Sequence, residues 1–193
     1  MASKKVFTVF ILLFAFASGC AKQVPCYPPE HYAPNPGAPY TAEEVRILTP
    51  KGYNLAGTLT LPTMGAPPYP AVLLITGSHP QDRNHLQNRR APVSYYRPFR
   101  QIADAISRKG IAVLSMDDQG TGCSEGDPLE NVTIQERADD SRAGIAYLRH
   151  RNEIEGSRIG LLGLSEGANI APMIAASDPS IRAVVMMAPT ASN

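Results

Sequence analysis

The sequence predicts an α/β domain in which a mostly parallel sheet carries helices on both faces. From about residue 43, runs of β-branched and apolar residues alternate with segments of helical periodicity. The inner runs are apolar at nearly every position, as in strands that are buried on both faces. Because strand–helix–strand units repeat at this spacing, parallel pairing is favoured. With 44% hydrophobic and 18% charged residues, the composition is that of a globular domain.

Six strands are predicted along the chain. Residues 43–48 and 54–61 are rich in β-branched and apolar residues and flank a turn signal at 50–52, so we expect an antiparallel opening pair. The four apolar strands that follow are predicted at 71–76, 111–114, 158–164 and 183–187. We expect all four to be buried, since continuous apolar runs suit strands that are covered on both faces.

Helical periodicity predicts three helices between these strands. The first has Pro98 in its first turn and ends at Gly110. Its apolar face consists of Phe99, Ile102, Ala103 and Ile106. The second begins at Thr133, because Thr133 and Glu136 have the spacing of a capping box. Its inward stripe consists of Ile134, Ala138, Ile145 and Leu148. The third covers 166–177.

The first 42 residues are predicted to form a targeting signal followed by a spacer. Lys4 and Lys5 precede an apolar run over 6–17 that is too short to cross a bilayer but suits a signal peptide over 1–19. The run ends in Ala-Ser-Gly before Cys20, which resembles the lipidation motif of bacterial lipoproteins, although leucine is commoner there than Ala17. The alternative is an ordinary signal peptide that is cut after a small residue.

These features divide the chain into a signal peptide (1–19), a lipidated Cys20 with a Pro-rich tether (20–42), and a folded domain (43–193). Six prolines within 21–42 predict an extended spacer, because proline lacks the backbone donor that helices and central strands need. We therefore expect a protein of the bacterial cell envelope, lipid-anchored in the membrane and facing the periplasm or the cell exterior.

Charge and cysteine content exclude several other classes. The 18 basic and 17 acidic residues leave a net charge of +1, whereas nucleic-acid-binding proteins usually carry a clustered basic excess. An oxidising compartment would allow Cys26 and Cys123 to pair, but one lies in the spacer and the other in a domain loop, so two free thiols are the favoured interpretation. The cysteine spacing does not suggest a metal site, and no cofactor is implied.

Ser165 is the candidate catalytic nucleophile, at the centre of the G-x-S-x-G motif of residues 163–167. The motif follows a predicted buried strand and precedes a predicted helix, which is the arrangement of a nucleophile elbow. Glycines suit so tight a turn because side chains there would clash, and the following helix directs its N-terminal N–H groups at the reacting centre. The alternative is a Gly-rich turn that merely starts a helix.

An acyl-transfer site at this serine also needs an oxyanion hole. One donor is predicted to be the backbone N–H of Glu166, which directly follows the nucleophile. The second should come from the loop after the strand that ends at Thr76, where we favour the N–H of Ser78, with Gly77 as second choice. His79 lies on the same loop, and a surface histidine is the favoured interpretation over a catalytic base.

Several blocks resemble bacterial α/β-hydrolases of the EstD-like carboxylesterase group, relatives of the serine aminopeptidases and dienelactone hydrolases. They occur in the group's order from about residue 43 to the last residue: LAGTLTLP (55–62), TGSHPQDRN (76–84), DDQGTG (117–122), GLSEG (163–167) and IAPM (170–173). The resemblance implies an α/β-hydrolase fold with Ser165 as nucleophile and Glu166 as its usual acidic neighbour. The group more often has His, Gly, Gly, Arg and Lys at Leu164, Ala168, His79, Gln119 and Cys123.

The catalytic base and acid of such a site are not found after Ser165. In this fold they follow the serine in the order acid, then histidine, whereas all four histidines (His31, His79, His85 and His150) precede it. Our favoured interpretation is a truncated chain with an incomplete fold that lacks the last strands, the acid and base being expected beyond residue 193. The alternatives are a short protein that has lost catalysis, or a substitute base at His79 or His85.

The expected function is that of a serine hydrolase. Its motifs favour a carboxylic ester hydrolase that acts through an acyl-enzyme on a small-molecule ester. A peptidase of the same fold that cuts small amides is the alternative within enzymes. A catalytically inactive, truncated lipoprotein that binds an acyl ligand is the alternative outside them.

Overall fold

The computed structural model describes residues 24–86 and 96–190, and their helices and strands follow the predicted order. The strands are β1 (Tyr40–Leu48), β2 (Asn54–Pro62), β3 (Tyr69–Ile75), β4 (Ala112–Met116), β5 (Ile154–Leu164) and β6 (Ile181–Met187). The helices are α1 (Pro98–Ser107), α2 (Ile134–Arg149) and α3 (Gly167–Ser177). Short 3₁₀ turns lie at Pro29–His31 and Leu129–Asn131.

The strands form one sheet in the order β1-β2-β4-β3-β5-β6. β1 pairs with β2, and β2 with β4, in antiparallel fashion, whereas β4, β3, β5 and β6 are mutually parallel. The predicted fold class and the antiparallel opening pair are therefore confirmed. Because the parallel strands end at the same edge, the loops that follow β3, β4 and β5 are brought together there.

Alternating side chains of the central strands build a core on each face of the sheet. Leu73 packs in the larger cluster, together with buried residues of α2 and α3. Leu74 packs in the smaller cluster, with Phe99 of α1. Since neighbouring residues of a strand point to opposite faces, α1 covers one face, and α2 and α3 cover the other. Helices on both faces were predicted, and this is the observed arrangement.

Two expectations about burial are wrong. Ile134 was placed on the inward stripe of α2 but is 39% exposed, because it is the first residue of the helix, ahead of the turns that meet the sheet. The strand at 183–187 was expected to be buried, but β6 exposes most of its side chains, including Val185 at 49%. Among the described strands, β6 pairs only with β5, so it has the position of an edge strand.

Local end signals of the helices act as predicted. Thr133 and Glu136 form the capping box of α2: the Thr133 hydroxyl accepts from the Glu136 N–H at 3.2 Å, and the Thr133 N–H donates to the Glu136 carboxylate at 2.8 Å. Gly110 lies just after α1 and has a φ of +80°. This left-handed conformation ends a helix, and glycine adopts it without the steric penalty that other residues meet. Both signals involve neighbouring residues, so no tertiary contact is needed to read them.

The described part of the predicted spacer is not extended away from the domain but packed on it. A disulfide joins Cys26 to Cys123, with their Cα atoms 4.5 Å apart, so the expectation of two free thiols is wrong. Tyr32 is only 6% exposed, and Arg100 donates to the carbonyls of His31 and Ala33 at 3.3 and 2.9 Å. Residues 24–39 of the predicted tether therefore pack on the domain instead of extending away from it, and the residues from Tyr40 onward belong to β1.

The signal peptide over 1–19 and the candidate lipidation residue Cys20 lie outside the described residues. Across 24–86 and 96–190, no helix combines the length and the apolar character that crossing a membrane requires.

Candidate active site

Ser165 occupies a strained turn between a central strand and a helix. It follows Leu164, the last residue of β5, and has a φ of +57°, in the left-handed region that non-glycine residues rarely adopt. Its N–H donates to the Met187 carbonyl at 2.9 Å, and its own carbonyl accepts from the Ala168 N–H at 3.0 Å. Such strain costs about 1–3 kcal/mol and persists only where the surroundings hold it, which makes this turn a functional candidate.

The two glycines of the motif are required by close backbone contacts. A Cβ on Gly163 would lie 2.0 Å from the carbonyl oxygen of Gly167. A Cβ on Gly167 would lie 2.3 Å from the carbonyl oxygen of Ile75 and 2.4 Å from that of Thr76. The first neighbour is backbone at the start of α3 and the other two are backbone at the end of β3, so they cannot move aside as a flexible side chain would. Glycine is therefore needed at 163 for the tight turn into α3 and at 167 for the close approach of the elbow to β3.

The loop after β3 lies directly against the serine. A Cβ on Gly77 would be 3.3 Å from the Ser165 Cβ. The Gly77 N–H donates to the Gln81 side-chain oxygen at 3.2 Å, so this donor is already engaged. That engagement favours the next N–H, of Ser78, as the donor of the loop, while Glu166 stands at the N-cap of α3. The roles of Ser165, Glu166 and Ser78 remain predictions.

A buried arginine that the sequence did not single out links the loop to the elbow. Arg137 of α2 forms an ion pair with the Glu166 carboxylate. Its guanidinium also donates to the Gly77 carbonyl at 2.6 Å and to the Thr76 carbonyl at 3.3 Å. The only signal in the sequence was its position next to the inward-facing Ala138, which does not distinguish a functional arginine from a structural one.

The DDQGTG segment (117–122), which follows β4, holds the loop after β3 in place through hydrogen bonds. Asp118 accepts hydrogen bonds from the Thr76 hydroxyl and, at 3.0 Å, from the Gln81 N–H. Burial raises the pKa of Asp118 to about 7, against the opposing charge of Arg137 at 3.6 Å. Its neighbour Asp117 instead accepts from the backbone and the guanidinium of Arg83. The block therefore acts here as a scaffold.

The histidines that precede Ser165 occupy four separate environments. His79 is exposed on the loop after β3. His85 is 2% exposed, its ring lies 5.0 Å from that of Phe99, and burial lowers its pKa to about 4, so it is neutral at pH 7. The His31 ring stacks on Tyr27, and His150 lies exposed after α2. No catalytic role follows from these positions.

Among the residues that the structure describes, no group of three or more His, Cys, Asp or Glu side chains is arranged to hold a metal ion.

The sequence has relatives of known family. Residues 93–192, more than half of the chain, match the family described as serine aminopeptidase, S33. Esterase EstD of Thermotoga maritima is 33% identical over 162 residues, which cover 84% of this chain and 36% of EstD. Esterase FrsA of Yersinia pestis is 30% identical over 154 residues, which cover 78% of this chain and 32% of FrsA. The chain thus spans about a third of the length of these relatives.

Solved structures show the same fold. Esterase Pf2001 of Pyrococcus furiosus superposes with a TM-score of 0.64 at 21% identity, over 86% of this chain and 56% of that protein. The α/β hydrolase GrgF of a Penicillium species superposes with a TM-score of 0.63 at 23% identity, over 77% and 46%. At these identities, the likeness concerns the fold alone. From the match over residues 93–192 together with this fold, the chain belongs to the serine aminopeptidase S33 family of α/β-hydrolases.

Proposed function

We propose that this chain forms the nucleophile-bearing part of a serine hydrolase that acts on small carboxylic esters. The observation that carries the proposal is the strained turn of Ser165, which presents a serine between the end of β5 and the N-terminus of α3. The loop of Gly77 lies beside this serine, since an added Cβ at Gly77 would be 3.3 Å from the Ser165 Cβ, and this loop can supply a second oxyanion donor. The names of EstD and FrsA, both esterases, favour esters over amides as the substrate class.

In the proposed reaction, the Ser165 hydroxyl attacks the acyl carbon of the ester and loses its proton to a histidine. The backbone N–H groups of Glu166 and Ser78 stabilise the tetrahedral oxyanion. The alcohol then leaves with the proton, and water hydrolyses the acyl-enzyme in a second, analogous step. The histidine and its acidic partner are proposed to lie outside these 193 residues, since none of the four described histidines is assigned as base.

Labelling with a fluorophosphonate probe tests Ser165 as the nucleophile. We expect the purified protein, produced together with the segment that supplies the proposed histidine and acid, to be modified at Ser165, as identified by mass spectrometry of its peptides. Ser165→Ala should reduce labelling to background, because the probe forms its bond to an activated serine oxygen. Ser157→Ala is the matched control, since Ser157 is an exposed serine of the same strand, and it should be labelled like the unmodified protein.

The same experiment separates the alternatives. Absence of labelling in that protein without substitutions would contradict the proposal and favour an inactive protein that only binds an acyl ligand. If Ser165 is labelled, hydrolysis of p-nitrophenyl acetate and of alanine p-nitroanilide should be compared. Turnover of the anilide alone would replace the esterase with a peptidase of the same fold, which the family description makes the second candidate.

We further propose that the protein is secreted and held at the bacterial envelope membrane by a lipid on Cys20. The Cys26–Cys123 disulfide supports an oxidising compartment, because cytosolic thiols are kept reduced. Mass spectrometry of envelope protein prepared under thiol-blocking conditions should find an acylated Cys20 at the mature N-terminus and a linked Cys26–Cys123 peptide pair. An unacylated mature N-terminus, or blocked thiols at both of the other cysteines, would contradict this localisation.

A further inference from the structure

The two candidate oxyanion donors come from distant parts of the chain, yet their relative position has to be accurate. The Glu166 N–H belongs to the start of α3, and the Ser78 N–H belongs to the loop after β3. An oxyanion hole works only if both donors lie about 2.7–3.1 Å from the developing charge. The loop after β3 and the elbow must therefore be held in a fixed relative position, and one buried side chain contacts both.

Arg137 divides its guanidinium between these two segments. One terminal nitrogen, Nη1, pairs with the Glu166 carboxylate. The other, Nη2, donates to the Gly77 carbonyl at 2.6 Å and to the Thr76 hydroxyl at 3.1 Å. The arginine is only 7% exposed, so solvent screens these interactions little. It projects from the first turns of α2, whose start is held by the capping box.

Holding the Gly77 carbonyl also orients the N–H of Ser78. Both groups belong to one peptide unit, which is planar, and in a trans unit the N–H points opposite to the carbonyl. A hydrogen bond from a cation to that carbonyl therefore fixes the direction of the candidate donor. It also polarises the peptide and thereby strengthens its N–H as a donor. The same side chain thereby positions the loop and the residue after the nucleophile.

We propose that Arg137 is a positioning residue, which sets the distance and direction between the Ser78 and Glu166 N–H groups without touching the substrate. This inference rests on the proposed function of Ser165. Asp118, whose carboxylate lies 3.6 Å from the Arg137 guanidinium, assists by anchoring the same loop through the Thr76 hydroxyl and the Gln81 N–H. A rigid planar fork can meet a carboxylate and a carbonyl at once, which a lysine ammonium at the same place does not reproduce.

Arg137→Ala and Arg137→Lys test the proposal, with Arg142→Ala as the matched control. Arg142 lies on the same helix, but its side chain is 37% exposed and pairs with Asp139. For Arg137→Ala, we expect the maximal rate of Ser165 phosphonylation to fall about 10–100-fold, somewhat less than the loss of a whole oxyanion donor. The probe concentration for half-maximal rate should stay nearly constant, because Arg137 does not contact the probe. The lysine variant should be intermediate.

Methylguanidinium should restore part of the rate in Arg137→Ala, since a small cavity lined by Thr76, Asp118 and Arg137 already adjoins the side chain. A general loss of folding would not be rescued in this way. Amide hydrogen exchange provides a readout that needs no labelling. In Arg137→Ala, exchange should accelerate in peptides covering 76–80 and 165–169 but not in those covering β4. If the alanine variant does not fold, the same result is expected in Arg137→Lys.

Exchange as slow as in the unmodified protein at 76–80 would overturn the inference, and so would a phosphonylation rate within twofold of that protein. Failure of the proposed function has a different signature, because the protein without substitutions would then not be labelled even with the segment that supplies the proposed base. In that case, the exchange measurement still decides whether Arg137 holds the two segments together.

Discussion

Replacing Arg83 with alanine is expected to lower the free energy of unfolding by about 3–5 kcal/mol, because it leaves a buried carboxylate without its partner. The Arg83 side chain is 1% exposed, and that of Asp117 is fully buried. Two guanidinium nitrogens of Arg83 donate to the two carboxylate oxygens of Asp117, at 3.0 and 2.9 Å. Removing the cation alone would strand the negative charge where water cannot solvate it.

The same guanidinium joins parts of the fold that are distant in sequence. Its third nitrogen donates to the Glu44 carboxylate of β1 at 2.6 Å and to the Gly57 carbonyl of β2 at 2.8 Å. Its central carbon lies 4.1 Å from the centre of the Tyr32 ring, in the packed N-terminal segment. Loss of Arg83 should therefore loosen the N-terminal segment as well as the loop after β3.

Urea denaturation followed by circular dichroism measures this effect. Arg158→Ala is the control, because Arg158 forms an exposed pair with Glu155 on β5 and should change the free energy of unfolding by less than about 0.5 kcal/mol. If Arg83→Ala destabilises the protein no more than Arg158→Ala does, the burial of the Arg83–Asp117 pair cannot hold in solution.

Gly163→Ala is expected to be the second large perturbation, costing about 3 kcal/mol or more, at the upper end of overpacking effects. The added methyl group would lie 2.0 Å from the Gly167 carbonyl oxygen and 2.3 Å from its carbonyl carbon. Neither atom can withdraw without moving the start of α3. The elbow would have to open, and Ser165 would lose the position that it holds between strand and helix.

Gly156→Ala provides the matched control on the same strand. The nearest atom to a Cβ there is a side-chain carbon of Arg149 at 3.5 Å, an ordinary contact. This variant should have nearly unchanged stability, or a slight gain from the reduced freedom of the unfolded chain. Thermal unfolding and probe labelling should be measured for both variants. Full stability together with full Ser165 labelling in Gly163→Ala would contradict the close packing of the elbow.

The order and type of the elements could be predicted because their signals are short-range. The apolar run at 71–76 became β3, and the Thr133–Glu136 capping box began α2. By contrast, the sequence pattern at 183–187 looked like a buried strand, whereas Val185 and its neighbours are exposed on β6. A strand's apolar content limits where it can be buried, but its exposure depends on which elements pack against it.

The Cys26–Cys123 disulfide could not be predicted from the sequence for a related reason. The two cysteines are 97 residues apart, and nothing in the Pro-rich composition of the N-terminal segment indicates that it docks on the domain. Docking depends on contacts such as those of Arg100 with the His31 carbonyl, between residues 69 positions apart. Proline content argued against α-helices and central strands there but carried no information on where the segment lies.

The candidate nucleophile could be read from five consecutive residues, because the elbow is a local turn whose glycines and serine impose its shape. Arg137 and Arg142 show the opposite case. They lie on one helix and have the same side chain, yet one is buried against Glu166 and Gly77 and the other pairs with Asp139 near the surface. Which arginine reaches the elbow depends on how α2 packs against β3 and α3, and burial and long-range pairing of this kind arise only when the whole chain folds.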